Sequence, residues 1–143
     1  MTTFHSFEEI EAWKEARALT KKIRAICRRD HVRKDFAFID QITRSVRSIG
    51  ANIAEGFEAS NVLEFAAFLG IAKRSAGETR AHMYDALDED YVTAEEFRDI
   101  ADHAICISKM LANLEAYLRS PGVAQEKKRT KKYVPQTGKL LNR

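Results

Sequence analysis

Apolar residues recur at alternating intervals of four and three positions along most of this sequence, and few folds are compatible with that spacing. Four segments show it, over residues 12–26, 39–53, 65–86 and 97–118. Because an α-helix has about 3.6 residues per turn, these positions fall on one helical face, whereas no alternating run long enough for a strand is present. Short connections favour neighbouring helices that run in opposite directions. The sequence therefore predicts an all-α fold, an antiparallel up-down-up-down four-helix bundle.

Residues typical of helix starts precede the segments. Ser6–Glu9 and Thr93–Glu96 both fit the capping box S/T-x-x-E, in which two side chains bond to free amides of the first turn. Asp35 is placed to cap the second helix, and Ser60 or Asn61 to cap the third. These signals predict a first helix that begins directly after Ser6.

Breaks in the pattern predict where the helices end. The first helix is expected to run to about Arg29, the second to Gly56 and the fourth to Pro121-Gly122, where proline cannot continue it. Residues 1–120 hold 17 Lys and Arg against 20 Asp and Glu, whereas residues 121–143 hold seven against one. We therefore expect a bundle domain over 1–120 and a flexible basic C-terminal tail over 121–143.

Composition and cysteine usage exclude several classes of protein. No window approaches 18 uncharged apolar residues, so a membrane-spanning helix is not expected, and the acidic N-terminal segment is unlike a signal peptide. Cys27 and Cys106 are isolated within helical patterns and are interpreted as small buried hydrophobic residues. The expected location is the cytoplasm, with no membrane partner.

Signatures of enzyme chemistry are missing from the sequence. It has no zinc-ligand spacing, glycine-rich phosphate loop, nucleophile elbow or Glu-x-x-His pair of a di-iron bundle. Glu78 and His82 are four positions apart, and His82 is interpreted as a capped or interfacial histidine and not as a ligand. His103 is expected on a solvated face. We predict no catalytic residues, no metal and no cofactor.

Basic residues form a regular ridge on the first helix, opposite its apolar stripe. The ridge is about 20 Å long at the helical rise and could follow a phosphate backbone, or it could be a solvated face with local ion pairs. Its members and the other candidate nucleic-acid contacts are Lys14, Arg17, Lys21, Arg24 and Arg28 on the first helix, Arg44 and Arg47 on the second, and Lys127, Lys128, Arg129, Lys131 and Lys132 in the tail.

A second stripe, mostly polar, flanks the apolar stripe on both the second and the third helix. Three interpretations stay open: a partly buried hydrogen-bond network that fixes helix register, a subunit interface, or a ligand or catalytic site. The candidate members of such a polar or assembly network are Gln41, Arg44, Ser48, Asn52, Glu55, Glu64, Ser75 and Glu78.

Over residues 7–119 the sequence resembles the bacterial four-helix-bundle proteins encoded in intervening sequences of 23S ribosomal RNA genes. The resemblance rests on D-Q-I-x-R, S-I-x-A-N-I-A-E-G and F-L-x-I-A-x-x-S-x-x-E. These motifs begin at Asp40, Ser48 and Phe68. The chain has Gly50 where the family often has proline. It also lacks the arginine that usually follows A-E-G.

The resemblance implies an up-down bundle that assembles as a homopentamer. The family is related in fold to the accessory variability determinants of diversity-generating retroelements, which bind nucleic acid together with a reverse transcriptase. The leading hypothesis is therefore a non-enzymatic, homo-oligomeric accessory protein that binds RNA or DNA mainly through phosphates, with ribosomal RNA or a reverse transcriptase as further candidate partners. The alternative is a protein–protein interaction scaffold that does not bind nucleic acid.

Overall fold

A computed structural model describes residues 4–123 of the protein. A short 3-10 helix, Phe7–Glu9, precedes four α-helices. These are α1 (Glu11–Cys27), α2 (Phe36–Phe57), α3 (Val62–Asp88) and α4 (Ala94–Arg119), and residues 4–123 contain no strand. Each helix packs against two neighbours, in the cyclic order α1, α2, α3, α4, without diagonal contacts among the described residues. The predicted all-α four-helix bundle is confirmed. Of the predicted tail, residues 121–143, all but the first three lie outside the described residues.

The core lies between the four helices and is formed by the predicted apolar stripes. Central positions such as Leu19, Ile49 and Leu69 are fully buried. At the start of α2 the stripe is shifted by one position from the predicted one. Phe38 is buried there, whereas Ile39 is only partly buried. Burial of these side chains away from water is the main favourable contribution to folding.

The cysteine prediction holds for one of the two residues. Cys27 is buried at the end of α1, and burial raises the pKa of its thiol although Thr43 is hydrogen-bonded to it. Cys106 is exposed, because it precedes the core residue Ile107 and falls on the outer side of α4. Its predicted burial was wrong.

The predicted start of α1 was also wrong. Ser6 makes no capping hydrogen bond through its side chain, and α1 begins only at Glu11, after an extended Ile10. Ile10 is 2% exposed. The extended backbone at Ile10 brings this large apolar side chain into the core, and the helix starts beyond it. Glu9 instead accepts a hydrogen bond from the backbone amide of His5, at 3.0 Å.

The other three helix starts form as predicted. The carboxylate of Asp35 accepts from the amide of Phe38 at 3.2 Å, and the side chain of Asn61 accepts from the amide of Glu64 at 2.9 Å. Thr93 makes both bonds of its capping box. Each cap satisfies an amide that the helix leaves without a partner, which typically contributes about 1 kcal/mol.

The end of α2 lies very close to the start of α3. Gly56 does not end α2, which continues to Phe57, so the predicted stop at Gly56 was wrong by one residue. A Cβ atom at Gly56 would lie 2.6 Å from the Cβ of Phe68 and 3.0 Å from Cδ1 of Phe65. Since no glycine among the described residues has a positive φ, the requirement here is space and not backbone conformation.

Two connections at the same end of the bundle are tied together. The hydroxyl of Tyr91, between α3 and α4, donates to the carboxylate of Asp35 at the start of α2, at 2.5 Å. This bond raises the pKa of the Tyr91 phenol to about 12 and lowers the pKa of Asp35. The guanidinium of Arg29, just after α1, donates to the backbone carbonyl of Tyr91 at 2.8 Å. α1 ends at Cys27, two residues before the predicted position.

Candidate nucleic-acid interface

The α1 ridge, defined as Lys14, Arg17, Lys21, Arg24 and Arg28, points into solvent. All five residues are exposed. Lys14 forms an ion pair with Glu11, at 3.2 Å between Nζ and Oε1. The other four form no ion pair with any residue in the range 4–123, so their charge is available to an anionic partner. The regular spacing along one helix keeps these charges in a line.

Two cations beside the ridge point elsewhere and hold α1 against α4. Lys22 donates to Asp99 at 3.0 Å, and Arg29 donates to both carboxylate oxygens of Glu96. The Arg29 guanidinium, followed by the backbone amide of Thr93, lowers the pKa of Glu96 to about 2. The bond to Glu96 in turn raises the pKa of Arg29. These two cations therefore have structural partners and are not counted in the candidate interface.

A histidine joins the same contact between α1 and α4. His103 was expected on a solvated face, but its side chain is only 14% exposed. Its Nε2 lies 3.2 Å from Glu15, and its Nδ1 lies 3.1 Å from Nζ of Lys22. The prediction was wrong because the contact between α1 and α4 is wider than their apolar stripes. It also covers neighbouring polar positions, such as His103.

Helix α2 adds two further arginines to the side of the bundle that carries the ridge. Gly50 of α2 lies against Trp13 of α1, and the Thr43 side chain is close enough to Cys27 to lower the pKa of its thiol, so the segment between Thr43 and Gly50 runs antiparallel beside α1. This segment carries Arg47, which is exposed and makes no ion pair within the described part of the chain. Arg44 is exposed as well and lies 3.4 Å from Asp40.

Charge is divided unequally between the two halves of the bundle. Helices α1 and α2 carry seven Lys and Arg against four Asp and Glu, whereas α3 and α4 carry six against nine. The basic α1–α2 face therefore consists of the α1 ridge together with Arg44 and Arg47. The tail candidates lie outside the described residues.

Part of the second polar stripe forms a compact hydrogen-bond network between α2 and α3. Ser48 Oγ lies 2.8 Å from Ser75 Oγ, and the Asn52 side-chain amide donates to the Oγ of Ser48 at 2.9 Å. Thr79 Oγ1 lies 2.9 Å from Ser45 Oγ and 2.8 Å from the carbonyl oxygen of Ser75. These five residues are called the α2–α3 polar network below. Buried hydroxyls that bond to each other fix the register of two helices.

The remaining candidates of the polar stripes lie apart from this network. Glu64 accepts from the amide of Ser60 at 3.3 Å, as part of the α3 cap, and Glu78 lies 3.4 Å from His82. Gln41 lines a cleft at the other end of the stripe, and Glu55 is exposed. Arg44 bonds to Asp40 and not to the network. Ser45 and Thr79 were not among the predicted candidates, although the structure places both in the network.

The described residues provide no grouped metal ligands and no membrane span. Between Phe4 and Val123, no three His, Cys, Asp or Glu side chains are arranged so that they could hold a metal ion. Over the same range, no helix combines the length and apolar character that crossing a membrane requires.

These observations define a four-helix-bundle protein with a basic α1–α2 face and a polar network between α2 and α3. The chain belongs to the family of 23S rRNA-intervening sequence proteins, whose family model matches residues 8–113. A similar fold is found in the crystal structure of a protein of unknown function from the S23 ribosomal protein family of Bacteroides thetaiotaomicron. The TM-score is 0.66 at 25% identity, over 76% of this chain and 99% of that chain. No curated protein matches the sequence.

Proposed function

We propose that this protein is a non-enzymatic, homo-oligomeric cytoplasmic protein that binds RNA or DNA through phosphate contacts of its basic α1–α2 face. One observation carries the proposal: Arg17, Lys21, Arg24 and Arg28 form an exposed line of cations that the described part of the chain leaves without ion-pair partners. Cations that neutralise phosphates release condensed counterions, and this release favours binding.

The arrangement supports contacts with phosphates and not with particular bases. Four ridge positions from Arg17 to Arg28 cover about 16 Å at the helical rise, which suits a run of consecutive phosphates. Arg47 extends the surface sideways and gives it width. The comparatively acidic α3–α4 half would repel the same backbone, so a nucleic acid is expected on the α1–α2 side.

Homo-oligomerisation, as a homopentamer, belongs to the proposal through the family resemblance. Several copies would present several basic faces to one nucleic acid and raise its apparent affinity without any new contact. Light scattering coupled to gel filtration measures the mass of the oligomer directly. The expected mass is five times the 16.3 kDa of the chain, and a single-chain mass contradicts this part of the proposal.

The binding test compares two charge-matched triple variants. Arg17→Ala, Lys21→Ala and Arg24→Ala together remove three cations of the ridge. Lys73→Ala, Arg74→Ala and Arg80→Ala remove three exposed cations of α3, which likewise make no ion pair between Phe4 and Val123. Fluorescence anisotropy with a labelled RNA and a labelled DNA, from about 50 to about 200 mM salt, gives the affinity and its salt dependence.

The ridge variant is expected to bind more weakly and to lose about 2–3 from the slope of log affinity against log salt, because each lost phosphate contact removes about 0.7–0.9. The α3 variant should keep the wild-type slope. Absence of RNA and DNA binding by the wild-type protein at low salt would refute the proposal. An equal loss in both variants would show that binding follows net charge and not this face.

The second candidate function is a protein–protein interaction scaffold. It is favoured by two large apolar side chains on α3, Leu63 and Tyr84, each of which is 56% exposed. If the wild-type protein binds no nucleic acid, exposed apolar residues of this kind become the better candidates for its contacts. Leu63→Ser and Tyr84→Ser would then weaken the partner complex, whereas the ridge variant would leave it unchanged.

A further inference from the structure

A single large aromatic side chain stands out on the surface near the end of the basic face. Phe36, the first residue of α2, is 77% exposed, and no other large hydrophobic residue in the range 4–123 is as exposed. Packing does not require it there, because the core position at this end of α2 is filled by Phe38. Two residues apart on a helix point in nearly opposite directions, so Phe36 faces away from the core.

Helical spacing places Phe36 on the same side of α2 as the basic face. Phe36, Thr43 and Arg47 are separated by seven and four positions and therefore share one side of the helix. Gly50, seven positions after Thr43 on the same side, lies against Trp13 and Ala16, so this side is next to α1. Phe36 lies two turns before Thr43, at the start of α2. The connection that leads to it begins at Arg28, the last residue of the ridge.

Two cations lie two and three positions before Phe36 in the chain. Arg33 and Lys34 are exposed, and the amide of Phe36 donates to the carbonyl of Lys34 at 3.0 Å, which keeps the two residues close. Asp30 pairs with Arg33 at 3.6 Å. The carboxylate of Asp35 is already engaged by Tyr91 and by the amide of Phe38. Asp35 keeps its negative charge, since its partners are neutral, and Lys34 makes no ion pair within residues 4–123, so its ammonium is the cation near Phe36 that can contact a phosphate.

An acidic cleft at this end of the bundle lies on another side of α2. Ala37 and Gln41 line it together with His82, Asp85 and Glu89. Ala37 follows Phe36 by one position, which is about 100° around the helix. The cleft therefore faces α3, whereas Phe36 faces the side of α1 and the ridge.

We infer that Phe36 is a stacking platform for an unpaired base, and that the preferred ligand of the basic face is single-stranded nucleic acid. The inference rests on the proposed function. An aromatic ring beside a row of cations is the combination by which proteins bind single strands, because the cations contact the backbone while the ring stacks on a base. A duplex keeps its bases stacked on each other and would use the cations alone.

The test uses a single-stranded RNA that carries one 2-aminopurine, whose fluorescence reports stacking, and a duplex of the same sequence. Phe36→Ala removes the platform, and Phe36→Trp restores an aromatic surface. Tyr84→Ala is the matched control, since it removes an exposed aromatic residue from α3. Circular dichroism and gel filtration check that each variant keeps its helical content and its mass.

Phe36→Ala is expected to weaken single-strand binding by about five- to a hundredfold and to abolish the change in 2-aminopurine fluorescence, since one base–aromatic stack contributes that much. Duplex affinity should stay unchanged, Phe36→Trp should restore single-strand binding, and Tyr84→Ala should have no effect.

Two results would overturn the inference while the proposed function stands. One is a wild-type protein that binds duplex and single strand equally and a Phe36→Ala variant that binds like the wild type. The other is a change of oligomeric mass in Phe36→Ala with equal losses for both ligands, which would assign Phe36 to a contact between copies of the chain. A wild-type protein that binds neither ligand would refute the proposed function itself.

Discussion

Replacing Gly56 by alanine tests whether the close contact between α2 and α3 limits stability. The new Cβ would lie 2.6 Å from the Cβ of Phe68, about 1 Å closer than carbon atoms normally approach. The Cβ of Phe68 cannot rotate away, because it is attached directly to the α3 backbone. Phe65, whose Cδ1 would lie 3.0 Å from the new atom, is buried and equally confined. The two helices must therefore move apart.

Two opposing contributions set the expected size of the effect. Overpacking of a well-filled site costs about 1–3 kcal/mol, whereas Gly→Ala in a helix gains about 1 kcal/mol from propensity. Gly77→Ala isolates the second contribution, because Gly77 lies within α3 and a Cβ there would meet no heavy atom within 4 Å. The difference in the free energy of unfolding between the two variants is therefore the steric cost at the contact of Gly56 with α3.

Urea unfolding followed by circular dichroism measures this difference. We expect Gly77→Ala to raise the free energy of unfolding by up to about 1 kcal/mol and Gly56→Ala to fall below it by about 1–3 kcal/mol. With a slope of about 1–3 kcal/mol per molar urea, the two midpoints should differ by roughly 1 M. Equal stabilisation of both variants would refute the steric argument and show that the two helices adjust at no cost.

Two further predictions concern buried and paired polar groups. Thr79→Val keeps the shape of a side chain that is 0% exposed but removes the hydroxyl that bonds to Ser45, which keeps only its bond to the carbonyl of Ile42, so it should lower the free energy of unfolding by about 0.5–1.5 kcal/mol in the same urea assay; an unchanged midpoint would mean that the hydroxyl bond is dispensable. Because Arg29 lowers the pKa of Glu96 to about 2 from an ordinary value of 4.5, Glu96 stabilises the folded state above pH 4.5 and this contribution is lost as the pH falls through about 2. Unfolding measured over that interval should therefore depend less on pH in Glu96→Gln than in the wild type, and parallel profiles would contradict the assignment.

The fold could be predicted from the sequence because periodicity and caps agree with each other. Asp35, Asn61 and Thr93 combine a capping side chain with an apolar stripe that starts directly after it, and all three form the expected bonds. At Ser6 the local motif is present, but burial of Ile10 places the start of α1 later. A capping box is a local signal, and a large apolar side chain that must reach the core outweighs it.

The candidate site was predictable only where it depends on a single helix. The spacing of Arg17, Lys21 and Arg24 is enough to place them on one exposed face. By contrast, Arg29 and His103 each bond to a residue of another helix. Such pairs depend on how α1 and α4 are rotated about their axes relative to each other, and the pattern of one helix does not specify this. The exposure of Phe36 could not be predicted either, because Phe36 and Phe38 are both candidates for the core position at the start of α2. The structure shows that Phe38 fills it.

The bond between Tyr91 and Asp35 has a consequence for recognition at Phe36. Asp35 caps α2 and is held in turn by a phenol from the α3–α4 connection, so the backbone that carries Phe36 is already ordered in the free protein. A base that stacks there would restrict only the two side-chain torsions of the ring, and the entropic cost of binding would be small. Tyr91→Phe would remove the phenol bond and leave only the cap by Asp35 to order the backbone at Phe36. It should then weaken single-strand binding mainly through faster dissociation, although Tyr91 itself never touches the ligand.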